Sequence, residues 1–366
     1  MDSVMQVGVI GCGNISGAYF NAGKQFRSIR FKSCADLNPE ASAKAEKEAG
    51  IHAVTVPELL ADPEIGIVLN LTTPQSHTEV NTRILEAGKH SYSEKPFGLS
   101  LESAAAVNAL AEQRGLRTGS APDTFLGGSH QTCRKLIDDN WLGEVTNGVA
   151  FMQTRGHEFW HPAPEFYYRK GGGPVLDMGP YYVTALVNLL GPVRRVVALS
   201  NRAYRERRIL SQPKAGEPMP VEVNTHTAGV LEFESGALVT MIMSFDVPCG
   251  DLPNIELNGT RGSLKVPDPN CFGGEIRFCA RGEEQWQTVP ALFGYRDNMR
   301  SLGLADMAKG IQSGRPHRCN GRLAYHVLEV LLALEEAGSG CGVKEIVSRC
   351  ERPAPLAAGL IHGELD

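Results

Sequence analysis

The sequence predicts an α/β chain of two domains: a doubly wound parallel sheet over residues 1–121, then a domain over residues 122–366 whose sheet is mostly antiparallel. Three observations carry this. Short apolar runs alternate with helix-patterned runs through the first third, as strand and crossover helix must in a parallel sheet. A glycine-rich turn, Gly11-Cys12-Gly13-Asn14-Ile15-Ser16-Gly17, sits directly after the first apolar run. Beyond residue 190 strand-like runs outnumber helices and are joined by short glycine-bearing turns, the connections antiparallel strands favour. A length of 366 residues suits two ordinary domains, and a hydrophobic fraction of 42% can fill both cores.

The first strand is Met5 to Ile10, and the turn after it has Gly-x-Gly-x-x-Gly spacing with Ser16 in the third place. The first glycine permits the tight turn, the second lets backbone approach a pyrophosphate, and the third position needs only a small residue. Phosphate would then sit on the free N–H groups opening the next helix, which brings in Asn14 and Ile15. A second strand, Ile29 to Ala35, ends in Asp36, where a carboxylate would accept hydrogen bonds from an adenosine ribose. Leu37 and Asn38 follow, with no arginine to hold a 2′-phosphate, so NAD is expected rather than NADP.

A helix from Pro39 to Ala49 stops at Gly50, and Thr55 with Glu58 has capping-box spacing before a short helix. The continuous apolar run Ile67 to Leu71 reads as a strand buried on both faces. It ends in Thr72-Thr73-Pro74-Gln75-Ser76-His77, a loop at the carboxyl edge of the sheet, where ligands bind. A helix from Thr78 to Ala87 and a strand from His90 to Ser93 lead to Glu94-Lys95-Pro96, which puts Lys95 at that same edge. An Xaa-Pro bond can be cis at modest cost, so Pro96 can aim the lysine into a cleft. Taken alone, Glu94 and Lys95 are as well read as a solvated pair. A helix (Leu101 to Arg114) and a strand (Leu116 to Ala121) complete the sheet, and Ala121-Pro122-Asp123 is the domain boundary.

The second domain begins with a helix from Ser129 to Asn140 and a strand from Glu144 to Thr154. The polar and aromatic segment Arg155 to Pro162 has no clear period. It either lines a substrate pocket, with Trp160 offering a flat face to a sugar ring, or is a surface loop anchored by its aromatics. His157 and His161 lie four apart around Glu158, but Pro162 and the missing helical pattern speak against a metal helix, and no metal is expected. Asp177 to Leu190 reads as a helix with Asp177 and Tyr181 one turn apart on one face. They present themselves to one substrate hydroxyl, or are a helix-end acid and a core tyrosine. Strand-like runs follow at Val193 to Asn201, Val221 to Glu234, Ala237 to Val247, Asn254 to Asn258, Ser263 to Val266 and Glu275 to Phe278. Helices return at Asn298 to Gln312 and Gly321 to Glu336, the latter with His326 packed inside.

In this order, Gly11-x-Gly13-x-x-Ser16, Asp36, Thr72-Thr73-Pro74 with His77, Glu94-Lys95-Pro96 and the segment Gly171 to Tyr181 resemble the glucose-fructose oxidoreductase, inositol dehydrogenase and rhizopine-catabolism (Gfo/Idh/MocA) family over nearly the whole chain. The resemblance implies a Rossmann domain followed by an α/β domain with a large, open, mostly antiparallel sheet, often used for oligomer contacts; a homo-oligomer, dimer or tetramer, is expected. It implies hydride transfer between NAD(P) and a hydroxyl carbon of a sugar, inositol or related polyol. It also implies a site built on the lysine of Glu-Lys-Pro and an Asp-x-x-x-His pair. Tyr181 stands in the histidine's place, as in some relatives, including glucose-fructose oxidoreductase and the dihydrodiol dehydrogenases.

On that basis Lys95, Asp177 and Tyr181 are the expected catalytic residues, and Lys95, Trp160, His161, Asp177 and Tyr181 the substrate contacts. Thr72, Pro74, His77, Glu94 and Lys95 would lie along the cofactor. A tyrosine with a pKa near 10 is a poor base, but a nearby ammonium favours the phenolate. Tyr181 is therefore the expected proton acceptor, Lys95 its electrostatic partner, and Lys95 as the direct base the alternative. The rival activity is a glycosidase that uses held NAD to oxidise, eliminate and re-reduce.

Composition narrows the partners. A net charge of −5, from 36 basic and 41 acidic side chains, leaves no basic tract for nucleic acid. The cluster Arg202, Arg205, Arg207 and Arg208 is expected to be a solvated loop. Nine cysteines without a Cys-x-x-Cys pair argue against a disulfide framework. With no leader and no apolar run of membrane length, a soluble cytoplasmic protein is expected.

Overall fold

The computed structural model describes residues 4–340 and 342–366. The first part runs β1 (Met5–Ile10), α1 (Ser16–Gly23), β2 (Ile29–Ala35), α2 (Pro39–Ala49), β3 (His52–Ala53), α3 (Val56–Ala61), β4 (Ile65–Asn70), α4 (His77–Glu86), β5 (His90–Ser93), α5 (Leu101–Gln113) and β6 (Thr118–Ser120). The strands form a parallel sheet in the order β3-β2-β1-β4-β5-β6. Connections run outward from β1 on one side and return to β4 on the other. The strand order thus reverses between β1 and β4, and a crevice opens there at the carboxyl ends of the strands.

Local chemistry sets these boundaries. Val7, Val9, Ile67, Val68 and Leu69 are fully buried, as strands covered by helices on both faces require. The Asn38 side chain caps α2 by accepting from the Glu40 N–H, and Gly50 ends that helix at a left-handed φ of 73°. Thr55 and Glu58 close a reciprocal capping box on α3.

The second part continues with α6 (Gly128–Asp138), β7 (Val145–Gln153), α7 (Gly173–Leu190), β8 (Val193–Asn201), β9 (Glu206–Arg208), β10 (Pro218–Pro220), β11 (His226–Phe233), β12 (Leu238–Ser244), β13 (Ile255–Gly259), β14 (Gly262–Val266), β15 (Ile276–Ala280), β16 (Gln287–Val289), α8 (Leu302–Ser313), α9 (Gly321–Gly340) and β17 (Val343–Glu345). Apart from the β9–β10 pair, these strands form one open sheet ordered β16-β15-β14-β13-β7-β12-β11-β8-β17. Every pairing in it is antiparallel except β7 with β12. Helices α7 and α9 lie on this sheet, packing against β8, β11 and β12. Along β8, Val196 and Ala198 turn into the core while Val197 and Leu199 stay exposed on the other face of the sheet.

The structure departs from the sequence expectation in four places. Helix α7 starts at Gly173, so Asp177 lies a full turn inside it rather than at its end. Helix α8 starts only at Leu302, because Ser301 has φ 123°, outside the helical region. The strands β3, β9, β10, β16 and β17 have two or three residues each, too few to show a period. Arg207 is not solvated: it is 9% exposed and forms ion pairs with Glu158 and Asp246.

The end of the chain returns to the first sheet. Helix α8 packs on α1, β2 and β6. The carboxylate of Asp123, 1% exposed, accepts from the N–H groups of Ser301 (3.2 Å) and Gly303 (2.9 Å), and the Ser301 hydroxyl donates to the Tyr19 carbonyl.

Candidate active site

The glycine turn after β1 is shaped by two different constraints. Gly11 has φ 102°, and a Cβ there would lie 2.6 Å from the Leu71 carbonyl carbon, so no other residue fits. A Cβ on Gly13 would meet nothing within 4 Å; the glycine leaves room above the backbone for a ligand. Among the described residues, the N–H groups of Gly13, Asn14 and Ile15 donate to no protein acceptor. They stand at the opening of α1, where an anion is favoured.

Asp36 anchors this turn. Its Oδ2 accepts from the Cys12 N–H at 2.7 Å and its Oδ1 from the Asn38 N–H at 2.8 Å, and each oxygen keeps a further lone pair. Gly11, Gly13, Asp36 and Thr72 line a cleft of about 410 Å³ whose other walls include Leu37, Val56, Leu60 and Val80. Donors for phosphate, an acceptor pair for ribose and an apolar slot for a base in one cleft fit a dinucleotide. Arg83 on α4 also lines this cleft. Sequence reasoning looked for an arginine only beside Asp36 and missed it, since Arg83 reaches the cleft from another element.

His77 sits between two loops at this edge of the sheet. It is 1% exposed, with Nδ1 2.7 Å from the Pro96 carbonyl and Nε2 2.9 Å from the Thr72 carbonyl, and it clasps the loop after β4 to the loop after β5. Burial pushes its pKa down despite those two carbonyls. Pro74 opens the short 3-10 turn that leads into this clasp.

Glu94 holds the next layer. Its Oε1 accepts from the Tyr19 hydroxyl at 2.7 Å and its Oε2 from the Lys95 N–H at 2.9 Å. The Lys95–Pro96 peptide is cis. Lys95 then reaches out of the first sheet to α7, where its Nζ donates to the Asp177 carbonyl at 2.7 Å and to Asp177 Oδ1 at 2.8 Å. Side-chain exposures of 17% and 12% make this a largely buried ion pair between residues 82 apart in sequence. Burial opposes the lysine's charge, but Asp177, Tyr181 and Glu94 outweigh it and hold the ammonium above the usual lysine range. Burial likewise opposes the Asp177 carboxylate, yet Lys95 and His157 bring it down to about 2.

Tyr181 lies one turn after Asp177, 7% exposed, with the Lys95 Nζ 5.2 Å from its ring centroid. The expected depression of the phenol is not found. Burial raises its pKa above 10, and the opposing pull of Lys95 and Arg300 does not overcome this. Burial is the largest influence, Glu94 adds to it, and the ammonium that opposes it is hydrogen-bonded to Asp177. In this state Lys95 and Tyr181 are therefore both protonated at neutral pH.

Two contacts here escaped sequence reasoning. His157 Nε2 lies 2.9 Å from Asp177 Oδ2, opposite Lys95, and its Nδ1 is buried without a partner. Arg300 places one guanidinium nitrogen 3.5 Å from the Tyr181 hydroxyl. The spacing to Asp177 or Tyr181, 20 and 119 residues, offers no local signal for either. The segment around His157 does pack by its aromatics. His157 stacks on Tyr167 with centroids 4.0 Å apart and meets Trp160 edge-on at 5.5 Å; His161 meets Trp160 edge-on at 5.2 Å. Trp160 remains 58% exposed, so it is joined to Asp177 through His157 while one face stays open.

Comparison with known proteins bears on the family and the fold. Residues 5–121 match the oxidoreductase family with an NAD-binding Rossmann fold, and residues 130–265 match the GFO/IDH/MocA C-terminal domain. An uncharacterized oxidoreductase of Schizosaccharomyces pombe is 29% identical over 221 residues, 57% of this chain and 54% of that protein, so the match spans about half of that relative. The 1,5-anhydro-D-fructose reductase of Ensifer adhaerens is 25% identical over 310 residues, 82% of this chain and 86% of that protein. Among solved structures, levoglucosan dehydrogenase in complex with NADH superposes with a TM-score of 0.81 at 21% identity, over 94% of this chain and 100% of that one, a likeness of fold.

Proposed function

The chain belongs to the Gfo/Idh/MocA family of NAD-binding oxidoreductases, and from that premise we propose that it transfers a hydride between NAD and a hydroxyl carbon of a sugar, inositol or related polyol, with Lys95, Asp177 and Tyr181 around the reacting group. The observation that carries this reading is the buried Lys95–Asp177 pair, which joins the edge of the cofactor sheet to α7 beside the Tyr181 ring. The relative named as a 1,5-anhydro-D-fructose reductase supports the sugar class.

Bound NAD supplies the hydride acceptor, and the protein supplies position and proton control. Gly13, Asn14 and Ile15 hold phosphate with their N–H groups; Asp36 accepts from the ribose. Asp177, ionised and fixed by Lys95 and His157, accepts from a substrate hydroxyl. The Lys95 ammonium and the Tyr181 hydroxyl donate to the oxygen on the reacting carbon. In reduction Tyr181 gives its proton to that oxygen. In oxidation it must first lose that proton, so the oxidative reaction needs alkaline conditions. The face of the large sheet on which Val197 and Leu199 are exposed is the surface for a homo-oligomer.

A screen for NAD reduction across sugars, inositols, sugar acids and their phosphates tests the proposal. Reduction by one of these classes that is lost in Lys95→Ala supports it; no turnover with any class, in either direction, removes it.

A further inference from the structure

Arg300 is a guanidinium with no carboxylate in contact among the described residues. Among the described residues it forms no ion pair: its NH1 donates to Asn298 Oδ1 (3.1 Å), its NH2 to Asn270 Oδ1 (3.1 Å) and, at 3.5 Å, to the Tyr181 hydroxyl, all of them neutral groups. Among the described residues its Nε makes no hydrogen bond. Glu94 and Asp123 act on it electrostatically but do not touch it: Glu94 accepts from Tyr19 and the Lys95 N–H, and Asp123 from Ser301 and Gly303. The position is built rather than loose. The neighbouring Ser301 is locked at φ 123° by Asp123, and the two asparagine amides fix the plane of the fork.

A half-buried cation of fixed geometry, with donors free and no carboxylate in contact with it, is arranged to receive an anion from outside. From this, and resting on the function proposed above, we propose that Arg300 determines specificity for a substrate bearing a carboxylate, a sugar acid rather than a neutral polyol. The Tyr181 hydroxyl is the shared point: the reacting oxygen meets it from one side and the carboxylate meets Arg300 beside it. A single free guanidinium matches one negative charge; Lys95, the other cation at the site, is already neutralised by Asp177.

The test compares matched probes on the wild type, Arg300→Gln and Arg300→Lys. D-gluconate is set against D-glucitol, and D-glucuronate against D-glucose and D-glucose 6-phosphate. Binding to the NADH complex is read by calorimetry and turnover by NADH absorbance. The wild type should favour the acid over its neutral partner by on the order of 100-fold, in Kd and in kcat/KM. Arg300→Gln should collapse that ratio, chiefly through KM, and Arg300→Lys should keep part of it. NADH affinity and melting temperature should stay within twofold and a few degrees of wild type. A neutral polyol bound as tightly as its acid overturns the proposal while leaving the proposed reaction intact. So does a preference for the sugar phosphate, or an Arg300→Gln variant that loses NADH affinity in proportion, which would assign the guanidinium to the cofactor's pyrophosphate. Because binding is read separately, absence of turnover sinks the reaction and not the anion preference.

Discussion

The Lys95–Asp177 pair predicts a measurable coupling between the two domains. Bringing Asp177 from 3.8 down to about 2 is worth on the order of 2 kcal/mol of folded-state stability. Removing one partner leaves the other charge largely buried, and such losses run to about 3–5 kcal/mol. Lys95→Met or Asp177→Asn alone should therefore cost about 2–4 kcal/mol at pH 7, somewhat less for Lys95→Met because His157 stays on Asp177. The double variant should cost at least about 2 kcal/mol less than the sum of the singles. Urea unfolding of the four proteins, followed by tryptophan fluorescence, measures this. The pH dependence has a definite sign. A depressed carboxylate pKa contributes fully above its unfolded value near 4, and that contribution is lost as pH falls towards about 2, so the gap between wild type and Asp177→Asn should narrow in that window. Single-variant costs that add within about 0.5 kcal/mol in the double variant would refute the coupling.

Other outcomes follow from the same geometry. Tyr181→Phe should lower kcat by about 10²–10⁴-fold while NADH fluorescence shows unchanged cofactor affinity. In the wild type, hydroxyl oxidation should keep rising with pH beyond 9, since the buried phenol titrates above 10; a plateau already at pH 7 would exclude it as the base. Gly11→Ala should destabilise the fold by about 1–3 kcal/mol through its left-handed backbone and the Leu71 carbonyl, measured by thermal melting. Gly13→Ala should melt like the wild type yet bind NADH at least about tenfold more weakly, because its Cβ enters only the space reserved for ligand. Asp36→Ala should weaken NAD by about tenfold or more and narrow its advantage over NADP, as titration of both would show.

What could be read in advance depended on range. Period and punctuation gave β1, β2, α2 and β5 residue for residue, because Gly50, Asn38 and the apolar runs act within a few positions of themselves. Asp36 and Lys95 were legible because a strand's end fixes which edge of the sheet a side chain occupies. The protonation of Tyr181 was not, since it depends on how deeply tertiary packing buries the phenol. Arg300 and His157 were invisible in their roles because long-range packing brings them to Asp177 and Tyr181. The burial of Arg207 was hidden for the same reason: its partners Glu158 and Asp246 lie 49 and 39 residues away.

The return of α8 to the first sheet bears on how the chain matures as it is made. When residues 1–123 have been synthesised, the Asp123 carboxylate has none of its native donors, and the surface that α8 will cover on β6 is bare. Both wait for Ser301 and Gly303, nearly two hundred residues later. Domains emerging from the ribosome usually fold as units, the first ahead of the second. Here the nucleotide half stays unfinished until the polypeptide is more than four-fifths made, and a nascent chain arrested before residue 301 should expose it to proteases that the released protein resists.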